Sequence, residues 1–490
     1  MTAKRILLLR ITPSILRTVN HPVHHYPPLT LKYIQSILSQ KNFINLKLID
    51  DEVDHLKSAE LIKQISYDQP DILVLFANFI SPDFIRAFSQ RLKQVTTDLF
   101  IIAIGPVATW NRESLLCNSS PIDVVISGEA EQAVAELIEQ LSSGDNSTQD
   151  YYRQKFMHTN AAITVEDLNS LPYLEFSKQE LKKYSFIYPV RLNKKVYCGY
   201  METSRGCVCK CIFCSQYIRK SYSDRLRFKD AKRVVDEVEN LVSKGANFIS
   251  FEDDNFASAS EHVFSICKEI KRRKLKIKWA AEVTIDEVNE ELLKEMRSAG
   301  CEFLQLGVES GSGRIIGLLN KTNQPETWGL RCKKIFNMAR QIGIATCALL
   351  MIGSPTETEE DIRKSINLAI CLRPDLIKLH FFCFYPGSKA RETFSEQLID
   401  AKRIQYMYHH DYPYINLSKI HSGRLIELRR EFYKRVLLSP RFIMNHLCKY
   451  FLYYLCNLGN FKFLISKTLS LLRNKKNLPK RFDLGLLDKR

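Results

Sequence analysis

Short apolar segments alternate with amphipathic helical patterns in the first third of this 490-residue chain. The apolar segments have the length of buried strands, and the stretches 82–95 and 129–141 between them have the helical period. Strands buried on both faces are typical of a parallel sheet covered by helices on each side. We therefore expect a doubly wound, Rossmann-like α/β domain over residues 1–145, with strands at 4–10, 45–49, 72–76, 99–104 and 123–126.

A second series of strands and helices follows the polar stretch 142–150. We expect residues 146–195 to be a linker and residues 196–400 to form one further domain. Its strands are predicted at 196–203, 248–253, 278–283, 303–309, 345–353 and 376–384. The pair Ser258 and Glu261 predicts a capping box at the start of one intervening helix. Six such units predict a partial, TIM-like (β/α)6 barrel with its chemistry at the carboxyl ends of the strands.

The positive charge of the chain is concentrated at its carboxyl end. Residues 401–490 contain 19 Lys and Arg against 5 Asp and Glu, a net charge of +14, whereas the whole chain carries +17. We expect this region to be a basic helical extension. Its segment 442–472 mixes aromatic and aliphatic residues with Lys, which suits peripheral contact with an anionic membrane surface. The alternative is a pair of helices packed on the barrel.

The number of cysteines and the first residues of the chain indicate the cellular compartment in which we expect the protein. The chain has 14 Cys, and Arg10 interrupts the apolar run at 6–9 without the cleavage site of an export signal. These features favour the reducing cytoplasm, with the basic tail as a means of attachment to the inner face of the membrane. The uncharged run 450–461 is too short to cross a bilayer. A hydrophobic content of 45% excludes a disordered or collagen-like chain.

Three cysteines lie together directly after the first strand of the second series. Cys207, Cys211 and Cys214 have the spacing C-x3-C-x2-C. Thiolates close together on one loop are suited to an iron–sulfur cluster, and three of them leave one iron of a four-iron cluster open. A zinc site would need a fourth ligand such as Cys209, whose spacing fits a tetrahedron poorly. We expect Cys209 to point away and to bind no metal.

These cysteines and their context resemble the radical S-adenosylmethionine (SAM) superfamily, in particular its members with a cobalamin-binding domain. The resemblance covers residues 1–400 in order, and its motifs end successive predicted strands. They are Glu202-Thr-Ser-Arg-Gly-Cys207, Phe251-Glu-Asp-Asp-Asn-Phe256, Trp279-Ala-Ala-Glu282, Gly307-Val-Glu309-Ser310-Gly311, Gly353-Ser-Pro-Thr-Glu-Thr358 and Tyr385-Pro-Gly-Ser388.

The resemblance implies a 4Fe-4S cluster on the three cysteines, with SAM on the open iron. The implied SAM-binding residues are Phe213 at the adenine, Glu252 or Asp253 at the amino group, and Glu309 and Ser310 at the ribose. For Glu309 and Ser310, the alternative role is a structural cap on the following turn. For Glu252 and Asp253, the alternative is a solvated strand end. SAM cleavage to a 5′-deoxyadenosyl radical also implies an electron donor such as flavodoxin or ferredoxin.

The first domain is similar to the cobalamin-binding module of this subgroup. The implied cobalamin-binding residues are Tyr26, Pro28, Gly105, Gly128 and Glu129. Two features depart from the pattern: the Asp-x-His-x-x-Gly motif is absent, and Pro106 replaces a second glycine and removes an N–H. The histidines in the corresponding loop are His21, His24 and His25.

The resemblance implies a cobalamin-dependent C-methyltransferase that acts on an unactivated carbon of a small-molecule or lipid-like substrate. Two alternatives stay open: a radical SAM cyclase or rearrangement enzyme without methyl transfer, and a non-catalytic iron–sulfur module at a membrane surface. A single cluster is expected, because residues 1–145 contain only Cys117 and the tail only Cys448 and Cys456. Nucleic acid is not an expected partner, since no nucleic-acid motif accompanies the basic charge.

Overall fold

The computed structural model describes residues 4–12, 26–54, 56–78, 80–96, 98–117, 119–142, 162–184, 195–214, 225–398, 413, 415–456, 458, 462, 465 and 469. Two parallel sheets and two carboxyl-terminal helices form the framework of these residues. Their architecture confirms the predicted α/β fold class.

The first sheet has five parallel strands in the order β2-β1-β3-β4-β5. They are β1 (Ile6–Ile11), β2 (Leu46–Asp50), β3 (Ile72–Ala77), β4 (Phe100–Ile104) and β5 (Val124–Val125). In register, Ile6 lies opposite both Leu46 and Ile72, so β1 is a central strand. The order reverses between β1 and β3, which is where a doubly wound sheet opens a crevice at its carboxyl edge.

Helices cover both faces of this sheet. They are α1 (Leu29–Gln40), α2 (Asp51–Asp54), α3 (Ser58–Asp68), α4 (Pro82–Val95), α5 (Pro106–Trp110), α6 (Arg112–Leu115) and α7 (Glu131–Ser142). Leu7 and Leu9 of β1 join the core under α3 and α4, whereas Ile6 and Leu8 join the core under α1 and α7. This alternation follows from the two-residue period of a strand, and it makes β1 apolar on both sides.

The second sheet has six parallel strands in sequential order from β6 to β13. They are β6 (Cys198–Met201), β9 (Phe248–Phe251), β10 (Trp279–Thr284), β11 (Cys301–Glu309), β12 (Ala345–Ile352) and β13 (Leu376–Phe381). A two-stranded antiparallel ribbon, β7 (Ser204–Arg205) with β8 (Arg227–Phe228), stands beside it. Within the described residues β6 and β13 are the sheet's two edges, so the barrel is partial, as predicted.

One helix precedes the first barrel strand and the others come after it, with one correction to the predicted starts. They are α8 (Lys178–Lys183), α9 (Ala231–Ser243), α10 (Ser260–Arg272), α11 (Glu290–Ser298), α12 (Gly313–Leu318), α13 (Trp328–Ile342), α14 (Glu359–Leu372) and α15 (Lys389–Thr393). The capping box predicted at Ser258 is wrong, because α10 begins two residues later, after Ala259, without a side-chain cap. Ser258 instead closes a turn, with its N–H donated to the Asn255 carbonyl oxygen.

Two helices follow the barrel, α16 (Ser422–Leu437) and α17 (Pro440–Cys456). α16 covers the edge of β13: the Leu379 N–H donates to the Tyr433 hydroxyl at 2.9 Å. Such cover prevents a sheet edge from pairing with another chain. α17 packs near the amino ends of β12 and β13, where Tyr450 donates a hydrogen bond to Asp375. Among the described helices, none is long and apolar enough to cross a membrane.

Candidate functional site

The predicted cysteine triplet lies on the loop that leaves the β7–β8 ribbon. Ser204 pairs with Phe228 and Arg205 with Arg227, so the ribbon closes the base of this loop. Gly206 has a φ of +102°, which a residue with a side chain rarely adopts, and its N–H donates to Asp254 Oδ2 at 3.0 Å. The chain therefore enters the cysteine loop in a fixed direction at the carboxyl end of β6.

The middle of the cysteine loop is held by the helices on either side. The Ile212 N–H donates to the Leu319 carbonyl oxygen at 3.0 Å, and the Ala390 N–H donates to the Ile212 carbonyl oxygen at 2.8 Å. Cys211 is buried, whereas Cys207 and Cys214 are half-buried. Among the described side chains, no three metal-ligating groups already stand together as a metal site.

Cys209 does not point away from the other thiols, so that expectation is wrong. Its side chain is hydrogen-bonded to those of Cys207 and Cys211, and its N–H donates to Cys207 Sγ at 3.4 Å. Cys209 therefore lies among the thiols proposed as cluster ligands, and thiolates are the soft donors that an iron–sulfur cluster takes.

A buried lysine that the sequence analysis missed stands beside this loop. Lys321 Nζ lies 2.8 Å from Glu309 Oε1, and both side chains are buried. Although burial lowers the pKa of Lys321, the charges of Glu309 and Cys211 raise it above its usual range. Gly307 leaves room for this pair, since a Cβ there would lie 2.6 Å from the Glu309 carboxylate. The glycine within this buried strand was the one signal in the sequence.

Glu309 and Ser310, both predicted at the ribose, have different surroundings. Glu309 has a φ of +60°, a strained conformation for a residue with a side chain, and faces Lys321. The Ser310 hydroxyl is fully buried and lies 3.1 Å from the Ser365 hydroxyl of α14. The Ser312 N–H also donates to it at 3.2 Å. The structure thus gives Ser310 the contacts of a turn cap and leaves Glu309 beside the cysteine loop.

The two predicted acids after β9, Glu252 and Asp253, also differ in their contacts. Asp253 Oδ1 accepts hydrogen bonds from the N–H and hydroxyl groups of both Thr203 and Ser204, and burial raises the pKa of Asp253 to about 6. Glu252 is half-buried in the barrel interior and accepts a hydrogen bond from Ser250 at 2.5 Å. Burial raises the pKa of Glu252 to about 8. Asp253 therefore fixes the approach to the cysteine loop, and Glu252 is the acid that faces the interior.

Polar residues continue down the inner wall of the barrel. Glu282 lies beside Gln305 in register, and Lys378 Nζ donates to Gln305 Oε1 at 2.8 Å. The carboxyl group of Glu282 is accessible within the barrel, and desolvation by the surrounding walls raises its pKa. Single polar residues at inward positions of apolar strands could have indicated this lining. The interior can hold a polar ligand group.

Five buried charged residues join the first sheet to the ribbon; we call them the interface ion group. They are Glu129, Glu131, Glu202, Arg205 and Arg227. Arg205 lies 2.8 Å from Glu131 and 3.1 Å from Glu129, and Arg227 donates two hydrogen bonds of 2.7 Å to Glu129. Despite burial, the hydrogen bonds of Arg227 and the charge of Arg205 lower the pKa of Glu129 to about 2.

The residues predicted at cobalamin lie at or near the carboxyl edge of the first sheet. Gly128 has a φ of +91°, and a Cβ there would lie 2.3 Å from the Ile163 carbonyl oxygen, so this turn has room only for glycine. Gly105 ends β4 with a φ of +95°. The carboxylate of Glu129, next to Gly128, is bound in the interface ion group, and its N–H donates to the Ile163 carbonyl oxygen at 2.8 Å.

The remaining residues predicted at cobalamin contact the barrel or lie outside the described part. Tyr26 packs edge-on against Tyr200 of β6 with ring centroids 6.0 Å apart. Pro28 is buried and precedes α1. The residues His21, His24 and His25 lie outside the described residues.

The carboxyl edges of the two sheets face each other across a second contact. Trp110, at the end of α5, packs on Gly387 after β13, where a Cβ would lie 2.3 Å from the indole. Trp110 Nε1 and Asp253 Oδ2 are buried polar atoms without a hydrogen-bond partner in the described residues. Unsatisfied buried groups fit a site that is completed by a polar ligand.

Comparison with known proteins assigns this architecture. The sequence profile of the Radical SAM superfamily matches residues 201–369. The chain is 25% identical over 448 residues to an uncharacterized methyltransferase of Pyrococcus horikoshii, which covers 90% of this chain and 94% of that protein. It is 24% identical over 448 residues to the anaerobic magnesium-protoporphyrin IX monomethyl ester cyclase of Rubrivivax gelatinosus, covering 86% and 77%.

Among solved structures, the chain is similar to the radical SAM methyltransferase TsrM from Kitasatospora setae with cobalamin and a 4Fe-4S cluster bound. The TM-score is 0.60 at 15% identity, covering 81% of this chain and 78% of that one. This likeness concerns the fold, in which the first sheet and the partial barrel have the same arrangement. The superfamily profile covers the barrel, so residues 201–369 form a radical SAM domain.

Proposed function

We propose that this protein is a cobalamin-dependent radical SAM enzyme that methylates an unactivated carbon of a small-molecule substrate. The observation that carries the proposal is the opposition of the two carboxyl edges, joined by the interface ion group and by Trp110 on Gly387. This arrangement brings the cysteine loop and the crevice of a doubly wound sheet to one enclosed space. The fold shared with TsrM supports cobalamin in that crevice.

Cys207, Cys211 and Cys214 would hold a 4Fe-4S cluster, and the carboxyl edge of the first sheet would hold cobalamin. When bound, these groups supply the electron that cleaves SAM and the carrier of its methyl group. Lys321, buried beside the cysteine loop and paired with Glu309, would add positive charge near the thiolates and near a bound SAM carboxylate. Glu252 faces the interior as an acceptor for the amino group, and Glu309 remains our proposal for the ribose.

The protein's other contribution is to exclude water from a reactive radical. The indole of Trp110 closes the space on the Gly387 side, and buried ion pairs close it on the Arg205 side. A site closed in this way protects the radical from stray hydrogen donors. The substrate would enter against the polar inner wall formed by Glu282, Gln305 and Lys378. The electron donor would be a small protein such as a flavodoxin or ferredoxin.

A second candidate function is a radical SAM cyclisation or rearrangement without methyl transfer. The observation that favours it is the similarity to the anaerobic magnesium-protoporphyrin IX monomethyl ester cyclase, which covers most of both chains. The same cysteine loop and barrel would generate the radical in either case. The two functions differ in product mass, because only methyl transfer adds one methylene unit to the substrate.

We also propose that the basic carboxyl-terminal region contacts a membrane surface and that the substrate is lipid-like. The support is the +14 net charge of residues 401–490 and the apolar side chains exposed on α17. Lipid surfaces that carry anionic headgroups attract such segments. This part of the proposal is independent of the radical chemistry.

Anaerobic reconstitution with iron and sulfide, followed by dithionite and SAM, tests the radical chemistry. We expect 5′-deoxyadenosine to form, and we expect Lys321→Met to weaken SAM binding by about tenfold or more, since a buried charge pair is lost. Lys321→Arg is the matched control that keeps the charge. Absence of 5′-deoxyadenosine from cluster-loaded protein would support the non-catalytic module instead. Corrinoid retained on purification would support cobalamin.

A further inference from the structure

The exposed side of α17 carries apolar side chains spaced by four and three residues; we call this set the heptad stripe. Its members are Met444, Cys448, Phe451 and Leu455 of α17 and Leu458, a described helical residue just after it. Phe451 is 56% exposed, Leu455 52% and Leu458 57%. Ile443 and Leu452, next to members of the stripe, are exposed as well. Because the steps between members alternate between four and three residues, the stripe follows one side of the helix. A contiguous exposed apolar surface of this kind marks an interaction site.

The opposite side of α17 is fixed to the barrel, so the heptad stripe has a defined direction. His446 Nε2 lies 2.8 Å from the Asp375 carbonyl oxygen, and Tyr450 donates to the Asp375 carboxylate at 2.8 Å. Lys449 forms an ion pair with the same carboxylate. Along the sequence, these three residues alternate with members of the stripe. They lie on the opposite face of α17 and bind it to the barrel. The stripe therefore faces away from the barrel.

The charge around the heptad stripe has one sign. The 51 residues from Phe432 to Phe482 contain 11 Lys and Arg and no Asp or Glu. Lys462, four residues after Leu458, is exposed, and a long side chain of this kind can keep its ammonium group at an interface while its methylenes are buried. An occupant of this surface must therefore accept apolar side chains and also supply negative charge.

We propose that the heptad stripe is the surface by which this protein lies on an anionic lipid bilayer. This deepens the membrane contact proposed above and names its residues. A second copy of α17 is the other occupant that a heptad repeat suggests, but it would bring a second set of positive charges with no acids to pair with them. A bilayer with anionic headgroups supplies both the apolar phase and the missing negative charge.

The position of α17 determines which end of the barrel meets the membrane. Asp375 precedes β13, and its carboxylate accepts the N–H of Thr346 at 2.8 Å, near the start of β12. α17 is thus anchored at the amino ends of the strands, whereas the cysteine loop leaves the carboxyl end of β6. Attachment through the stripe leaves the cysteine loop accessible to an electron donor from the aqueous side.

Vesicle flotation of the full-length chain tests the proposal without requiring a cluster or a substrate. The probes are vesicles of phosphatidylcholine alone and vesicles of phosphatidylcholine with phosphatidylglycerol. We expect flotation with the anionic vesicles only and weaker flotation as salt is added. The triple variant Phe451→Ser, Leu455→Ser and Leu458→Ser should lower the partition coefficient by about tenfold or more, because it removes inserted apolar area. The matched control replaces Ile44, Tyr67 and Leu330, exposed on other elements, with Ser and should float like the original chain.

Three results would overturn the proposal. Equal flotation of the triple variant and the original chain would show that the stripe is not the contact. Equal binding to neutral and anionic vesicles would exclude the anionic requirement. A dimer in sedimentation equilibrium that the triple variant dissociates, with no flotation of either chain, would assign the stripe to a second copy.

Unchanged thermal unfolding confirms that the triple variant is folded. Failure of SAM cleavage would leave flotation unaffected, so the two proposals fail separately.

Discussion

Cys209 shares its loop with the three cysteines proposed as cluster ligands, and substitution separates their roles. Its thiol contacts those of Cys207 and Cys211, but the triplet alone has the cluster spacing. We expect Cys209→Ser to keep about four irons per reconstituted chain, and Cys211→Ser to lose most of its iron and its visible absorbance. Iron analysis of the two variants side by side is the measurement. Equal loss of iron in the two variants would indicate that Cys209 is a ligand and would support a site of four cysteines.

Glu357 is a buried carboxyl group at the carboxyl end of β12. Its Oε2 accepts hydrogen bonds from the N–H groups of Gly353 and Ser354, and burial raises the pKa of Glu357 to about 8 from 4.5. Between these two pH values the native chain holds a proton that the unfolded chain releases. The contribution of Glu357 to the free energy of unfolding therefore falls as pH rises through this window, by up to about 1.4 kcal/mol per pH unit.

Glu357→Gln keeps the accepting oxygen and cannot ionise. We expect its free energy of unfolding in urea to decline less steeply than that of the original chain between about pH 4.5 and 8. Fluorescence of the buried Trp279 and Trp328 can follow the transition. Glu326→Gln, on an exposed residue, is the control and should leave the slope unchanged. The same slope in both variants would mean that Glu357 is ionised in the native chain.

Among individual site residues, the sequence pattern identified those that lie close together along the chain. It missed those that come together only in the folded structure. The cysteine spacing lies within eight residues and was readable directly. Lys321 reaches Glu309 only because α12 returns the chain to the barrel mouth, and no local pattern encodes that return. The distinction between Glu252 and Asp253 likewise depends on Thr203 and Ser204, which come from another strand.

Between elements, the interface ion group carries most of the identifiable polar contact from the first sheet to the ribbon. Removing one partner of a buried ion pair leaves the other charge unpaired, which costs about 3–5 kcal/mol. We expect Arg227→Met to lower the free energy of unfolding by roughly this amount and to loosen the first domain from the ribbon. Urea denaturation with limited proteolysis between residues 143 and 161 measures both effects.

The exposed pair of Glu290 and Lys294 on α11 provides the matched control. Lys294→Met removes a charge from a solvated pair four residues apart, so it should cost no more than about 0.5 kcal/mol. If Arg227→Met proves equally mild, the interface ion group contributes little, and other contacts, such as Trp110 on Gly387 and Lys229 with the Tyr33 hydroxyl, hold the first domain to the barrel.

Strands and helices were predicted accurately where a clear hydrophobic period ran over a typical element length. They were predicted inaccurately where a turn determines the start of the element. The strands and helices of both sheets follow from apolar runs, and most were predicted within a few residues. The ribbon of β7 and β8 was missed, because two-residue strands have no measurable period. The capping box at Ser258 failed because the chain first closes a turn at Asn255, a contact that the sequence pattern does not contain.

For the whole molecule, the order of the two sheets along the chain was predictable from the sequence, but which of their edges face each other was not. Which edges oppose each other depends on Arg205 reaching Glu131 and on Gly387 admitting Trp110, contacts that join distant parts of the chain. The basic tail shows the same limit. Its charge predicted a role in docking, whereas the structure divides α17 into a face anchored to the barrel and an exposed heptad stripe.

This division predicts how far the chain can be shortened. Despite burial, Lys449 lowers the pKa of Asp375, so the carboxylate is charged and its counter-ion comes from α17. A chain ending at Cys456 keeps Lys449 and Tyr450 and should unfold like the full chain in urea, whereas one ending at Leu438 should lose about 3–5 kcal/mol, because the ion pair of Asp375 and the buried Tyr450 ring are both lost. Asp375→Asn in the shorter chain should restore part of this loss, since a neutral amide needs no counter-ion. Equal stability of the two shortened chains would show that α17 contributes nothing to the barrel and serves membrane contact alone.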